Sequence, residues 1–107
     1  MKKYTLSQMT GRLSNGKNII ININKIEDGI EYETDIKIWR VDILPELKEK
    51  YPKETYILTI EKYDAKYIYP EGTALVIDKR MEFSKIEDAL EYLFKNKFIM
   101  EDELIIK

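Results

Sequence analysis

Apolar and polar residues alternate with a period of two over residues 18–43, the spacing of half-buried strands. Over residues 84–97 the apolar positions recur every three or four residues, the spacing of an amphipathic helix. In the first stretch two β-branched runs flank Glu27-Asp28-Gly29-Ile30. Asp-Gly suits a two-residue hairpin turn, because the right-handed twist of the strands calls for positive φ at both central positions. Such a turn pairs Glu27 with Ile30 and fixes the register. Ile19, Ile21 and Ile23 then oppose Ile38, Ile36 and Thr34 on one face, while Ile20, Asn22, Asn24 and Ile26 oppose Lys37, Asp35, Glu33 and Glu31 on the other. A slip of one residue would set isoleucines against carboxylates and Lys37, so turn chemistry and burial agree.

Beyond Ile38 the apolar parity changes, since Trp39, Val41 and Ile43 occupy odd positions. Either a bulge intervenes or both faces become covered there. Pro45 ends the strand, residues 46–51 suit one helical turn, and Pro52 stops it. Residues 55–62 read as a strand with Tyr56, Leu58 and Ile60 on one face. Residues 66–69 and 73–79 read as a hairpin about Tyr69-Pro70-Glu71-Gly72, with proline second and glycine last as in a type I turn. Ser84-Lys85-Ile86-Glu87 is a capping-box pattern at a helix start. Ile86, Ala89, Leu90, Leu93 and Phe94 then form one apolar stripe that must lie on the sheet, and Asn96 is the stop. Residues 4–9 suit a strand or a poor helix, and residues 103–107 an edge strand or a last helical turn. The three strands and helix read over residues 54–96 resemble in outline the β-β-β-α modules of integrase arm domains, a likeness of architecture without a shared residue motif.

These elements predict a single α+β domain over residues 1–107, a five- or six-stranded, mostly antiparallel meander sheet with one amphipathic helix packed on one face. A chain of 107 residues is long enough for one core, and 36% charged residues at net charge −2 keep its surface solvated. No apolar run is long enough to cross a membrane or to form a secretory leader, which points to a cytoplasmic protein with no membrane partner.

Composition removes much chemistry. With neither histidine nor cysteine, the usual nucleophilic triads and dyads and the zinc sites cannot be built. Gly11 to Asn18 matches the phosphate-loop pattern G-x-x-x-x-G-K, but asparagine stands where a magnesium-binding hydroxyl belongs, and a strand follows where a helix is needed. Asn15-Gly16 reads instead as a hairpin turn. Carboxylate pairs are inevitable among twenty acids and so predict no enzyme. We expect no catalytic residues, no cofactor and no metal.

Two surfaces remain. Glu31, Glu33 and Asp35 alternate along one strand and project from the same face, roughly 7 Å apart by strand rise, and Glu27 and Asp28 carry negative charge around the turn. This row is a solvated strand face, a docking surface for a basic partner, or a calcium ligand set. Beside it Ile20, Trp39, Val41 and Ile43 make an apolar patch, either covered by a terminal segment or exposed with Trp39 as an interface anchor. The opposite charge collects in residues 1–26, where Lys2, Lys3, Arg12, Lys17 and Lys25 occur without an acid. Tyr51, Tyr56, Tyr63, Tyr67 and Tyr69 are interspersed with Lys50, Lys53, Lys62 and Lys66, a mixture that single-stranded nucleic-acid platforms use.

The leading expectation is a small non-enzymatic protein-binding module acting stoichiometrically. It would engage a basic partner through Glu27, Asp28, Glu31, Glu33, Asp35 and Trp39, for instance as an anti-CRISPR-like phage or mobile-element inhibitor of a host nucleic-acid enzyme. The alternative is a nucleic-acid-binding domain using the basic N-terminal segment and the Tyr/Lys cluster; self-association into a homodimer is compatible with either.

Overall fold

The computed structural model describes residues 3–67 and 75–106. Four strands, β1 (Ile19–Glu27), β2 (Ile30–Arg40), β3 (Tyr56–Asp64) and β4 (Leu75–Phe83), form an antiparallel meander in the order β1-β2-β3-β4. Among the described residues three α-helices accompany these four strands: α1 (Leu6–Ser14), α2 (Ile86–Lys95) and the single turn α3 (Glu101–Leu104).

The β1-β2 hairpin turns through Asp28 and Gly29, both at positive φ (51° and 78°), as a two-residue turn requires. Its register runs from Glu27 opposite Ile30 to Ile19 opposite Ile38, the pairing that the alternation predicts. One face of the sheet thereby collects Ile19, Ile21, Ile36, Ile38, Leu58 and Ile60, all buried. Met9 and Leu13 of α1, Ile86, Leu90 and Leu93 of α2, and Leu104 of α3 close over them to form the core. Each such fully buried aliphatic side chain contributes roughly 1.5–3 kcal/mol by leaving water.

The parity change after Ile38 involves no bulge in β2. Pairing continues through Trp39 with Ile57 and Arg40 with Tyr56, and the fully buried Val41 and Ile57 show that apolar positions are covered on both faces at this end. The Pro45–Leu47 segment forms a 3-10 turn, the short helical piece expected between the two prolines.

The strand and helix counts differ from expectation for identifiable reasons. Of residues 4–9, Leu6 to Met9 enter helix α1, because Thr5 and Gln8 make a capping box in which Thr5 Oγ1 accepts from the Gln8 N–H and Gln8 Oε1 accepts from the Thr5 N–H. Asn15-Gly16 is therefore a helix end and not a hairpin turn. Gly16 takes φ +77°, Lys17 N–H donates to the Arg12 carbonyl and Gly16 N–H to that of Leu13, the paired bonds of a Schellman cap. Helix α2 ends the same way at Lys97 (φ 57°), with Lys97 bonded to Phe94 and Phe98 to Leu93.

The capping box expected at Ser84 is absent. Lys85 is the N-cap of α2 and makes no side-chain cap, so the helix spans Ile86–Lys95 and not 84–97, although its buried stripe Ile86, Ala89, Leu90 and Leu93 is the expected one. The strand expected over residues 66–69 is not formed where the chain is described, since Ala65–Tyr67 is a 3-10 turn after a longer β3. The type I turn read at Tyr69-Pro70-Glu71-Gly72 lies outside the described residues. The described residues of the 54–96 segment thus contribute two strands and a helix, where the sequence reads as three strands and a helix. At the C-terminus, α3 leads to one parallel bridge between Tyr4 and Ile105, which ties the two ends of the chain together.

Candidate functional site: the open face of the sheet

All three helices contribute to the core against one face, and the other face is built from residues that oppose one another across the strands. Directly opposite residues in an antiparallel pair share a face, so the register alone sets its composition. One row crosses the sheet as Ile20, Lys37, Thr59 and Arg80. The next reads Asn22, Asp35, Glu61 and Asp78, and the one beyond it begins Asn24, Glu33 and Tyr63. Glu31 extends the face toward the turn, and Trp39, Ile57 and Glu82 make the row at the opposite end.

Six carboxylates (Glu31, Glu33, Asp35, Glu61, Asp78 and Glu82) thus share this face with two cations, Lys37 and Arg80. None of the six lies within ion-pair distance of a cation among the described residues; the two ion pairs found there are Arg40–Asp42 and Lys62–Glu27. Asp35, Glu61 and Asp78 are also directly opposite one another across three strands. Like charges so placed disfavour the sheet by several tenths of a kcal/mol per pair.

Part of this charge is held in place. The Asn22 side-chain amide donates to Glu33 Oε1 at 2.6 Å and also contacts Asp35 Oδ1, while Tyr63 Oη donates to Asp35 Oδ2 at 2.8 Å. Desolvation and the hydrogen bond to Asp35, with Glu33 beside it, push the Tyr63 phenol well above its ordinary pKa. The phenol therefore stays a donor.

Trp39 is half-buried between two cations. Lys37 Nζ stands 4.7 Å from its ring centroid and the Arg80 guanidinium carbon 5.7 Å, within the range of cation–π attraction. The indole is thus not a bare hydrophobic anchor but the centre of a small cationic strip beside the acidic row. The described parts of the termini do not account for the burial on this side, because Tyr4, Leu104 and Ile105 join the core on the helix side.

Of the residues singled out from the sequence, Glu31, Glu33, Asp35 and Trp39 come together here. Glu27 does not. It belongs to the helix-bearing face, where Lys62 Nζ approaches its carboxylate at 3.1 Å, so its charge is neutralised locally. Asp28 occupies the exposed turn, and its place in the hairpin follows from its backbone conformation. Glu61 and Asp78 were missed because their alignment with Asp35 depends on the β2-β3 and β3-β4 registers, which no turn in the described residues announces.

Among the described residues the tyrosine and lysine cluster does not form one platform; Tyr69 lies outside them. Tyr56 is buried on the helix-bearing face with its hydroxyl bonded to Glu54, Tyr63 lies on the open face, and Lys62 is engaged by Glu27. Among the described residues no group of three or more acids is placed to hold a metal ion, so the row does not converge on a calcium site. No helix among them is long and apolar enough to cross a membrane. No protein-family model, curated protein or solved structure matches the chain significantly.

Proposed function

We propose that the chain is a non-catalytic binding module whose open sheet face docks on a basic surface of a protein partner. The observation that carries this reading is the row Asp35, Glu61 and Asp78, flanked by Glu31, Glu33 and Glu82. Folding alone disfavours such a row, yet the face leaves it unneutralised. A row of one sign accelerates encounter with an oppositely charged surface and aligns it on arrival. Lys37 and Arg80 around Trp39 would then set the orientation, since they repel a basic partner at one end of the face while the carboxylate row attracts it beside them. A concrete form of this reading is a stoichiometric inhibitor, of the kind phage and mobile elements direct against host nucleic-acid enzymes, that competes with nucleic acid for a positively charged groove.

The test is partner capture at low salt with the wild-type chain as bait, repeated with Glu31, Glu33 and Asp35 all replaced by serine. The triple variant is expected to retain the fold, to lose most of the captured partner, and to show a shallower salt dependence for what remains. Unchanged capture would reject the face as the docking surface.

One observation favours a second reading. Lys3, Arg12 and Lys17 line a cavity of about 370 Å³ with Tyr4, Gln8 and Asn15, and among the described residues no acid contributes to its wall. A phosphate-bearing ligand suits that lining. Titration with labelled single- and double-stranded oligonucleotides tests it, because phosphate contacts impose a steep loss of affinity with salt. Absence of binding at low salt would end this alternative.

A further inference from the structure

Among the described residues the meander leaves two edges unpaired, β1 and β4, and they are built differently. Natural sheets blunt an exposed edge with bulges, prolines or charged side chains, since its unpaired N–H and C=O groups invite another strand. The β4 edge carries such devices. The β3-β4 register shifts where Lys62 pairs with Ile77 and Tyr63 with Leu75, which leaves Val76 as a bulge. Its centre is Asp78-Lys79-Arg80, so pairing with itself about the middle would set Lys79 against Lys79. The β1 edge is far less guarded. It is nine residues long, without bulge or proline, and Lys25 is the single charge between Ile19 and Ile26.

The hydrogen-bonding parity of that edge follows from the turn. Residues that flank a two-residue hairpin turn form a hydrogen-bonded pair, so Glu27 and, by alternation, Lys25, Ile23, Ile21 and Ile19 direct their main-chain groups to β2. Ile20, Asn22, Asn24 and Ile26 direct theirs outward. On the open face these same four positions carry the side chains, and Ile20 and Ile26 are 68% and 75% exposed, the most exposed large apolar side chains among the described residues.

We infer that the free edge of β1 pairs antiparallel with β1 of a second copy, about a twofold axis at Ile23. Ile23 is the midpoint of the strand, so this register overlaps its full length. It sets Ile20 against Ile26 and Asn22 against Asn24 of the other copy, and each of these is a pair whose outward groups exchange both main-chain bonds. About eight such bonds form across the axis. The two exposed isoleucines cover each other, the asparagines meet amide to amide, and no like charges are opposed within residues 20–26. Opposite residues share a face, so the result is one eight-stranded sheet with the helices of both copies on one side and both acidic faces on the other.

Sedimentation over a range of concentrations tests this on the isolated chain, without any partner. The expected result is reversible association to twice the 12.8 kDa chain mass. Asn24→Pro removes an outward N–H without touching a β1-β2 bond, and should weaken association about tenfold or more while far-UV circular dichroism is retained. Should that variant fail to fold, Ile20→Lys with Ile26→Lys gives the same reading from exposed side chains, since it opposes lysine to lysine across the axis. The chain has no cysteine, so Ile23→Cys reports the register directly: it should form a disulfide-linked dimer on mild oxidation. A wild-type chain that stays monomeric at every concentration would overturn the inference, and so would a dimer that survives the folded edge variants. Failure of Ile23→Cys to cross-link in an associating protein would overturn the register.

Discussion

Tyr63 of β3 donates its phenolic hydrogen to Asp35 of β2 at 2.8 Å, diagonally across the open face, so the carboxylate at the centre of that face is held by a phenol on one side and the Asn22 amide on the other. Tyr63→Phe removes one of these restraints. The expected cost is about 1 kcal/mol, moderated by solvent at this half-buried site, read as a lower urea midpoint. The phenol also has a titration consequence. Its folded pKa is raised above the ordinary 10.0, so its contribution to stability is complete below pH 10 and is lost as pH rises above that value toward the folded pKa. Tyr56 behaves alike, pushed up to about 12 by burial and by its bond to Glu54. Phenolate absorbance of the folded wild type should thus retain a late-titrating pair of tyrosines, and Tyr63→Phe should remove one member.

Asp42 is the second polar restraint with a clear prediction. Its carboxylate accepts from Arg40 Nε and Nη2 at 2.9 and 3.0 Å and from the Thr55 N–H at 3.1 Å, while Arg40 reaches Ser14 at the end of α1. The hydrogen bond from Arg40 lowers the Asp42 pKa below the ordinary 3.8 despite partial burial. Its stabilisation is therefore present above pH 3.8 and lost as pH falls from there through the lowered folded value. Asp42→Asn should cost about 1–3 kcal/mol near neutral pH, and the gap between variant and wild type should narrow in acid. Denaturant midpoints at neutral and acidic pH check both parts.

The two Schellman caps give opposite predictions from one geometry. Gly16 holds φ +77° without strain, so Gly16→Ala should destabilise by about 1 kcal/mol even though the added methyl meets open space. Lys97 holds φ 57° with a β-carbon, so Lys97→Gly should stabilise by about 0.5–1 kcal/mol. Thermal midpoints of the two variants should move in opposite directions.

These caps also mark what the sequence could and could not convey. The Asp28-Gly29 hairpin was legible residue by residue, because turn chemistry and side-chain alternation demanded the same register. So was the buried stripe of α2. Asn15-Gly16 was ambiguous because positive φ serves a hairpin turn and a helix C-cap equally well, and the deciding signal was the Thr5 and Gln8 capping box at the other end of α1, on a segment without a strong apolar stripe. At Ser84 the same motif was present without being used. The acidic face was legible only along β2. Its continuation to Glu61 and Asp78 is a property of strand pairing, and the neutralisation of Glu27 by Lys62 depends on the same long-range register.

The most direct measurement of the central claim compares two charge-matched variants in partner capture across a salt series. One replaces Glu31, Glu33 and Asp35 by serine on the open face; the other replaces Glu87, Asp88 and Glu91 by serine on the exposed side of α2. Both remove three negative charges, so a difference between them reports the surface and not the net charge. The open-face variant should lose capture and its salt sensitivity while the α2 variant keeps both. Equal loss in the two variants, or full capture by the open-face variant, would contradict the account.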